Sequence, residues 1–403
     1  MRINIYKKTF FLLIFTILLL TFISCGKNSD DNNLSPFRDE YYSTQWYLNM
    51  DSTFDYIYGV SPNANIRAST SILEQYQGQG VKIVVIGEGA DLNHEDLKGA
   101  DITGYNEATK TTDVSEDKAP ACSNENSNGC FHGTSVLGIL AAQENSLGIR
   151  GLAPRAKYLF IKVPFYTNKT SALSSAINKA FEKAKSWGAN IIICSWGGQI
   201  DLGDEATITD VAKNGRAGKG TLIVFSSGNG NSNYIAEPVK FEANNPYVVS
   251  VGASDMYDIV SSYSNYSSSS KKLDIIAPGG GLSSFGISTL DPMGSQGMAL
   301  GGVPDYNLAN LSPFVGTSAS APIVAGALAL IFEKNPSLTR PDIINILHST
   351  SDKISSYKQN LGTKQNPIMT LKPCSYDSTG FSVHCGYGKL NLEKALAKVP
   401  NPS

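Results

Sequence analysis

The chain has 403 residues, of which 41% are hydrophobic and 17% are charged, and its formal net charge is −2. This composition excludes a fibre or a wholly disordered chain, and the balanced charge excludes a strong electrostatic attraction to nucleic acid. We expect one large globular domain, although the length alone would also allow two or three.

The N-terminus has the pattern of an export signal. Three basic residues precede an apolar run over 9–23, which ends in Ser24 and Cys25. The run is short for a membrane span of about 20 residues, although an uncleaved membrane anchor is an alternative. A Cys directly after a small residue resembles the lipobox of bacterial lipoproteins. This resemblance implies a signal peptide over 1–24 and lipid on Cys25, which anchors the protein to a membrane in the periplasm or at the cell surface.

The residues after the signal are polar and then become strongly patterned. Residues 25–40 are rich in Asn, Ser and Asp, which predicts a flexible tether, and we place the folded domain at 41–398. The domain contains apolar runs that predict strands, which cover 81–86, 156–163, 190–196, 221–227, 247–253 and 273–277. A helix is predicted over 171–188, and strands that alternate with helices predict a mostly parallel α/β sheet.

A second helix is predicted near the C-terminal end of the domain. Residues 279–313 are rich in Gly, Ser and Pro without a clear period, which is typical of a functional or loosely ordered segment. Residues 316–336 then form a polar turn followed by a segment that is apolar on nearly all sides. This pattern predicts a helix in the middle of the molecule.

The cysteines suit an oxidising compartment. Cys122 and Cys130 bracket one polar loop, and Cys374 and Cys385 bracket another, so we predict two disulfide bonds. Cys194 lies in an apolar run and is expected to be a buried free thiol. No pair of cysteines has the close double spacing of a zinc site.

Three polar segments could carry chemistry. Ser318 lies at the start of the apolar helix, where the helix dipole favours negative charge, although an N-cap serine is the plainer interpretation. His132 opens HGTSVLGILAAQ, a second polar turn before an apolar helix, where a cap or a surface group is the alternative. Asn229 in FSSGNGNSN follows a strand, where its amide either donates to an oxyanion or forms a turn.

Together the three segments resemble the subtilisin-like serine proteases. HGTSVLGILAAQ is similar to the histidine motif of that family, GTSASAP to its serine motif and SSGNG to its oxyanion asparagine motif. The resemblance extends from about Gln45 to Ala397 and includes SWGG at 195–198; several segments, with QWYLN near the start, resemble the kexin-like branch. It implies a single doubly wound α/β domain with helices on both faces of the sheet.

The resemblance also implies a function and a set of roles. The protein would be a monomeric serine endopeptidase that acts on protein or peptide substrates without an organic cofactor. Ser318 would be the nucleophile, His132 the general base and then the acid, and Asn229 an oxyanion donor. Three residues would hold an extended substrate by backbone pairing: Ser195, Trp196 and Gly197.

The catalytic Asp of the family is missing from this chain. In the family the first strand ends in Asp, one further residue and Gly, and the register set by His94, Asp96 and Leu97 places Gly87 at the Asp position. Glycine has no side chain to orient the catalytic His. In subtilisin, loss of the Asp alone lowers turnover by about 3 × 10⁴, so an impaired activity remains possible.

Glu88, the next residue, has two alternative roles. Side chains alternate along a strand, so we expect Glu88 to face away from the Asp position and to contact substrate, as the acidic residue after the catalytic Asp does in kexin-like proteases. If the glycines on either side let the backbone turn, Glu88 would substitute for the missing carboxylate instead.

The loop at 141–154 resembles the calcium loop of subtilisin. The resemblance implies a structural calcium ion that is bound entirely by oxygen atoms. Its ligands would be the side chains of Asp96 and Asn145 and the carbonyl groups of Gln143, Leu147 and Ile149. A plain Asn-Ser turn is the alternative.

Two other functions compete with the endopeptidase. A pseudoprotease would capture extended peptides at SWGG without cleaving them, and Gly87 favours this interpretation. An esterase is a weaker third possibility, because GTSAS lacks the second Gly of the nucleophile elbow.

Overall fold

The computed structural model describes residues 37, 39–49, 53–115, 132–165, 170–196, 205–231, 233–268, 273–282, 284–294, 305–309, 314–363 and 366–402. The predicted signal peptide, Cys25, Gly197 and the predicted Cys122–Cys130 bridge lie outside these residues. At the end of the predicted tether, Phe37 and Asp39 are buried, so the folded part begins before residue 41.

Helices and strands alternate along most of the described chain. The strands are β1 (Lys82–Gly87), β2 (Asp101–Asn106), β3 (Lys157–Lys162), β4 (Ile191–Cys194), β5 (Leu222–Ser226), β6 (Val249–Ser254), β7 (Ile275–Pro278), β8 (Thr289–Leu290), β9 (Tyr306–Asn307), β10 (Ser356–Asn360) and β11 (Met369–Pro373). The α-helices are α1 (Thr53–Tyr58), α2 (Thr70–Gln75), α3 (His132–Ala141), α4 (Thr170–Trp187), α5 (Glu205–Asn214), α6 (Thr317–Lys334), α7 (Arg340–Thr350) and α8 (Leu392–Lys398). Short 3-10 helices cover Tyr42–Thr44, Glu95–Leu97, Arg216–Gly218 and Phe241–Asn244.

The main sheet has seven strands in the order β2-β3-β1-β4-β5-β6-β7, and every neighbouring pair is parallel. The predicted α/β class and parallel sheet are therefore confirmed. The direction in which successive strands are added reverses between β1 and β4. Ligands of open α/β sheets bind at such a switch point, outside the carboxyl ends of the strands.

Helices cover both faces of the sheet. Ile83 and Val85 of β1 belong to the core that includes α6, whereas Val84 and Ile86 belong to the core that includes α4 and α5. Because successive side chains of a strand point to opposite faces, one apolar run supplies both cores. This burial on both sides explains why the strand sequences are almost continuously apolar.

Helix α6 is buried along most of its length. Its residues from Ala319 to Phe332 are all buried, as the sequence pattern predicts. Gly326 allows a close approach, because a Cβ at this position would lie 2.5 Å from the Cβ of Leu152. Within the described part of the chain, no helix is both long enough and apolar enough to cross a membrane.

Candidate active site

The candidate residues lie where parallel strands end. β1 ends at Gly87, directly before Glu88, and β4 ends at Cys194, directly before Ser195. Asn229 follows the last residue of β5 by three positions. The carboxyl ends of neighbouring parallel strands share one edge of a sheet, so the fold brings these three polar side chains to the same edge.

Ser318 is the second residue of α6. Gly316 is the N-cap of this helix and makes no side-chain cap bond, so Ser318 is not the N-cap that the plainer interpretation predicts. The Ser318 hydroxyl donates a hydrogen bond to the carbonyl oxygen of Ser195 at 2.8 Å. It therefore lies at a helix N-terminus, where the helix dipole stabilises negative charge, and beside the end of β4.

The amide of Asn229 is oriented by Thr317. Its Oδ1 accepts hydrogen bonds from the Thr317 N–H at 2.9 Å and from the Thr317 hydroxyl at 2.8 Å. Both bonds need an acceptor, so they identify the oxygen of the amide and direct Nδ2 elsewhere. A Cβ at Gly316 would lie 2.9 Å from Nδ2, and the φ of 139° at this position also favours glycine. The Nδ2 group can therefore donate beside the start of α6.

The imidazole of His132 faces the carboxylate of Glu88. His132 Nδ1 and Glu88 Oε1 are 3.5 Å apart, and the side chains are 17% and 11% exposed. Burial raises the pKa of Glu88, and the interaction with His132 acts in the opposite direction. The prediction that Glu88 faces away from the Asp position is wrong. Strand β1 ends at Gly87, so the alternation of side chains does not extend to Glu88.

His132 lies at the same end of the packed helices as Ser318. It is the first residue of α3, which packs against α6, and its ring contacts Phe314 edge to face with the ring centroids 5.4 Å apart. The next residue must be small, because a Cβ at Gly133 would lie 1.9 Å from the carbonyl oxygen of Gly89.

The space beside Gly87 is taken by Phe160. This ring is fully buried on the neighbouring strand β3, and a Cβ at Gly87 would lie 3.1 Å from its Cζ. Sequence patterns did not identify Phe160 as part of the site, because an apolar residue in a buried strand looks like ordinary core. Any side chain at position 87 would therefore require Phe160 to shift slightly.

The predicted substrate strand is only partly described. The Trp196 Nε1–H donates to the carbonyl oxygen of Ile86 at 2.7 Å, and its ring packs edge to face on Phe225. The side chain is therefore held against the main sheet. Ser195 is buried, and its carbonyl oxygen accepts the Ser318 hydroxyl. Pairing with substrate stays a prediction.

Asp96, one of the predicted calcium ligands, has a buried carboxyl group. Asp96 Oδ2 accepts the Ile149 N–H at 2.9 Å, while Oδ1 is buried without a hydrogen-bond partner among the described residues. Burial raises the pKa of Asp96 to about 7. The Gln143 N–H donates to the Asp96 carbonyl, and Asn145 Oδ1 accepts the Leu147 N–H at 2.8 Å, as the plain turn requires. An unpaired buried carboxylate oxygen nevertheless fits a hard cation.

Asp39 is a second buried carboxyl at this loop that sequence reasoning missed. Its Oδ1 accepts the N–H groups of Asn145 at 3.0 Å and Ser146 at 3.1 Å, and its Oδ2 is buried without a hydrogen-bond partner in the described chain. Repulsion from Asp39 also raises the pKa of Asp96. The described residues hold no cluster of three or more His, Cys, Asp or Glu side chains that would bind a metal by themselves. Calcium here would therefore need carbonyl ligands as well.

The cysteines that the structure describes form one disulfide bond and one free thiol. Cys374 and Cys385 form a disulfide bond, and Cys194 is a buried free thiol. Burial raises the pKa of the Cys194 thiol well above its usual range, which keeps it protonated and unreactive.

Known proteins are similar to this chain over most of its length. The model of the subtilase family, Peptidase_S8, matches residues 78–388. Subtilisin of Bacillus pumilus is 30% identical over 299 residues, which cover 74% of this chain and 92% of that protein. The cell wall-associated protease of Bacillus subtilis (strain 168) is 30% identical over 367 residues, 89% of this chain but 35% of that protein. A calcium-dependent protease of Trichormus variabilis is 28% identical, and the chain spans 52% of its length.

Solved structures show the same fold at lower identity. The serine protease of Aeromonas sobria matches 94% of this chain and 71% of its own, with a TM-score of 0.69 at 20% identity. Fervidolysin from Fervidobacterium pennivorans matches 93% of this chain and 50% of its own, with a TM-score of 0.60 at 21% identity.

Proposed function

Because the chain belongs to the subtilase family, we propose that it is a serine endopeptidase that hydrolyses peptide bonds through Ser318 and His132. One observation carries this proposal: Ser318 lies at the N-terminus of a buried helix beside Asn229, whose amide is held by Thr317 with Nδ2 available to donate. Nucleophile, base and oxyanion donor are the groups that acyl transfer requires.

The proposed reaction proceeds in two steps. Ser318 Oγ attacks the peptide carbonyl carbon while its proton passes to Nε2 of His132, and the carbonyl oxygen takes the negative charge beside Asn229 Nδ2. The imidazolium then protonates the leaving amine, and the acyl group stays on Ser318 as an ester. Water then gives a proton to His132 as its oxygen attacks the acyl carbon. The imidazolium returns this proton to Ser318 Oγ as the ester C–O bond breaks, which releases the acid and restores the serine.

Substrate binding would prepare the nucleophile. We assign the backbone of Ser195, Trp196 and Gly197 to an extended peptide that pairs as an added strand. The Ser195 carbonyl now accepts the Ser318 hydroxyl at 2.8 Å. A substrate N–H that pairs with this carbonyl would release the hydroxyl for transfer of its proton to His132.

The main alternative is a pseudoprotease that binds peptides without cleaving them, and Gly87 is the observation that favours it. Denatured casein and the purified protein separate the two functions. Fragments formed by the parent protein and by the control Ser186→Ala, but not by Ser318→Ala, support the endopeptidase. Binding of casein by all three proteins without cleavage supports the alternative.

We also assign a structural calcium ion to the loop around Asp96. Asp96 and Asp39 would supply carboxylate oxygens, and the carbonyl groups of Gln143, Leu147 and Ile149 and the side chain of Asn145 would complete an all-oxygen site. The buried oxygens Asp96 Oδ1 and Asp39 Oδ2 support this assignment. Such an ion would contribute to stability and takes no part in the reaction steps above.

Export and lipid anchoring through Cys25 complete the proposal. They rest on the N-terminal sequence pattern and agree with the name of the cell wall-associated relative. Fractionation of cells tests them: the parent protein is expected with membranes, and Cys25→Ala is expected to leave that fraction. We propose that the folded domain is a monomer, which light scattering of the purified protein would test.

A further inference from the structure

The contact between Glu88 and His132 places a carboxylate beside the imidazole although the catalytic Asp is missing. The family's Asp position is Gly87, yet Glu88 Oε1 lies 3.5 Å from His132 Nδ1. Nδ1 is the nitrogen that the catalytic Asp normally serves, while Nε2 faces the nucleophile. The Glu88 carboxylate therefore lies beside the ring nitrogen that a catalytic Asp would contact.

We propose that Glu88 replaces the missing Asp as the residue that positions His132. Its carboxylate accepts the Nδ1–H hydrogen bond, fixes the tautomer in which Nε2 is the base, and stabilises the imidazolium that forms when Ser318 attacks. In this role Glu88 takes no proton from the imidazolium. This inference rests on the proposed endopeptidase function, and Glu88 is a positioning residue because it acts through His132.

The backbone around Glu88 explains how its side chain reaches the imidazole of His132. β1 ends at Gly87, and the flexible neighbours Gly87 and Gly89 let the backbone leave the strand direction. A Glu side chain is one methylene longer than Asp, so it can reach back toward the imidazole from one residue further along the chain. The distance of 3.5 Å exceeds that of a formed hydrogen bond, and such bonds often shorten only when substrate binds.

The surroundings of the pair favour a strong interaction. The side chains are 11% and 17% exposed, so water screens their attraction only weakly. A Cβ at position 87 would lie 3.1 Å from Cζ of Phe160, so a carboxylate there would require this ring to shift by a few tenths of an ångström. Burial raises the pKa of Glu88, whereas a protonated His132 favours the ionised form of this carboxyl. The pair therefore becomes most stable when the imidazolium forms, which is when catalysis needs it.

Kinetics of Glu88→Gln test the proposal, with Glu74→Gln on the exposed face of α2 as the matched control. Gln cannot stabilise an imidazolium with its charge, so we expect kcat to fall by about 10²–10⁴-fold, the usual contribution of general acid–base catalysis. KM should change little, because in this proposal Glu88 acts on His132 and not on the substrate. A kcat of Glu88→Gln within twofold of the parent would overturn the proposal, provided the parent cleaves casein and Ser318→Ala does not.

Proton NMR provides a readout that does not depend on activity. The chain has four His, so ¹⁵N-labelled histidine and the variant His132→Ala assign the ring protons of His132. We expect a downfield Nδ1–H signal of His132 in the parent and in Glu74→Gln, and its loss in Glu88→Gln. A signal that is unchanged in Glu88→Gln would refute the pairing. If the pairing is found in a protein that cleaves nothing, the proposed function fails while the assignment of Glu88 stands.

Discussion

Thr317 donates two hydrogen bonds to the amide oxygen of Asn229, one from its N–H at 2.9 Å and one from its hydroxyl at 2.8 Å. Thr317 is fully buried, so water does not compete for these bonds. The residue before the proposed nucleophile thus fixes which end of the amide faces the reacting carbonyl. The contact between Thr317 and Asn229 is the basis of the first prediction.

Asn229→Ala is expected to lower kcat by about 10²–10³-fold with little change in KM, because the amide acts on charge that develops only in the transition state. Thr317→Val keeps the shape and removes one of the two orienting bonds. Its expected loss is about tenfold or less, which is the value of one buried neutral hydrogen bond. Steady-state kinetics measure the loss of kcat in each variant. A larger loss in Thr317→Val than in Asn229→Ala would contradict the prediction.

The raised pKa of Glu88 predicts how stability depends on pH. Because burial makes the folded protein hold this proton more tightly than the unfolded chain, ionising Glu88 costs stability as pH rises through the interval between the two pKa values. Glu88→Gln has no charge to bury. The interaction with His132 lowers the pKa of Glu88 and so reduces this cost, but burial has the larger effect.

Thermal unfolding at pH 4 and pH 8 tests whether ionising Glu88 lowers stability. The Tm of Glu88→Gln relative to the parent should be higher at pH 8 than at pH 4, whereas Glu74→Gln should show no such trend. A relative Tm that falls as pH rises would mean that the pairing with His132 stabilises the ionised carboxylate more than burial disfavours it.

Calcium is expected to stabilise the protein through Asp96 and Asp39. At a calcium concentration one hundred times the Kd, binding adds about 2.7 kcal/mol to the free energy of unfolding, or about 3 °C in Tm for a chain of this length. Chelator should remove this increment from the parent, and Asp96→Asn should show little response to either calcium or chelator. Asp101→Asn, which alters an exposed carboxylate, is the control. A parent Tm that does not respond to chelator would argue against the site.

The sequence predicted the buried parts of this fold better than its exposed parts. Strands such as β4 (Ile191–Cys194) are buried on both faces and read as continuous apolar runs, and α6 is apolar on nearly all sides. Strand β2 (Asp101–Asn106) was missed because only two of its six residues are buried, so it carries little of the apolar pattern that identifies a strand. The other edge strand, β7, is fully buried and was predicted.

Sequence patterns identified some residues of the site and missed or misplaced others. The motifs around His132, Asn229 and Ser318 could be found because each stands within a few residues of a regular apolar element. Glu88 was misplaced because the two-residue period holds only inside a strand, and β1 ends one residue earlier. Asp39 was missed because its contact with Asn145 joins residues 106 positions apart, and no local pattern records such a contact.

The disulfide between Cys374 and Cys385 is expected to stabilise the C-terminal part of the domain. The two residues are 11 positions apart, and a loop of this length corresponds to about 3 kcal/mol in the chain-entropy model. The double variant Cys374→Ala/Cys385→Ala should therefore lower Tm by about 4 °C while kcat stays near that of the parent. A Tm equal to that of the parent would show that the reduced loop is already constrained by other contacts.

The last prediction moves the carboxylate to the position that the family uses. In the Glu88→Gln background, Gly87→Asp would return a carboxylate near His132, but its Cβ would lie only 3.1 Å from Cζ of Phe160. Adding Phe160→Val opens the space at a cost of about 2 kcal/mol in stability. We therefore expect kcat to rise from Glu88→Gln to Gly87→Asp/Glu88→Gln, and to rise by at least about tenfold in the triple variant, which corresponds to 1.4 kcal/mol of transition-state stabilisation.

The double variant Glu88→Gln/Phe160→Val is the control for this rescue, because it has the same opened space without a carboxylate. It should stay at the level of Glu88→Gln. If the folded triple variant gains nothing over this control, the loss in Glu88→Gln has another cause than the missing charge. Rescue in the triple variant alone would show that His132 needs one carboxylate at its Nδ1 side, and that in the natural chain Phe160 and Glu88 together determine which residue provides it.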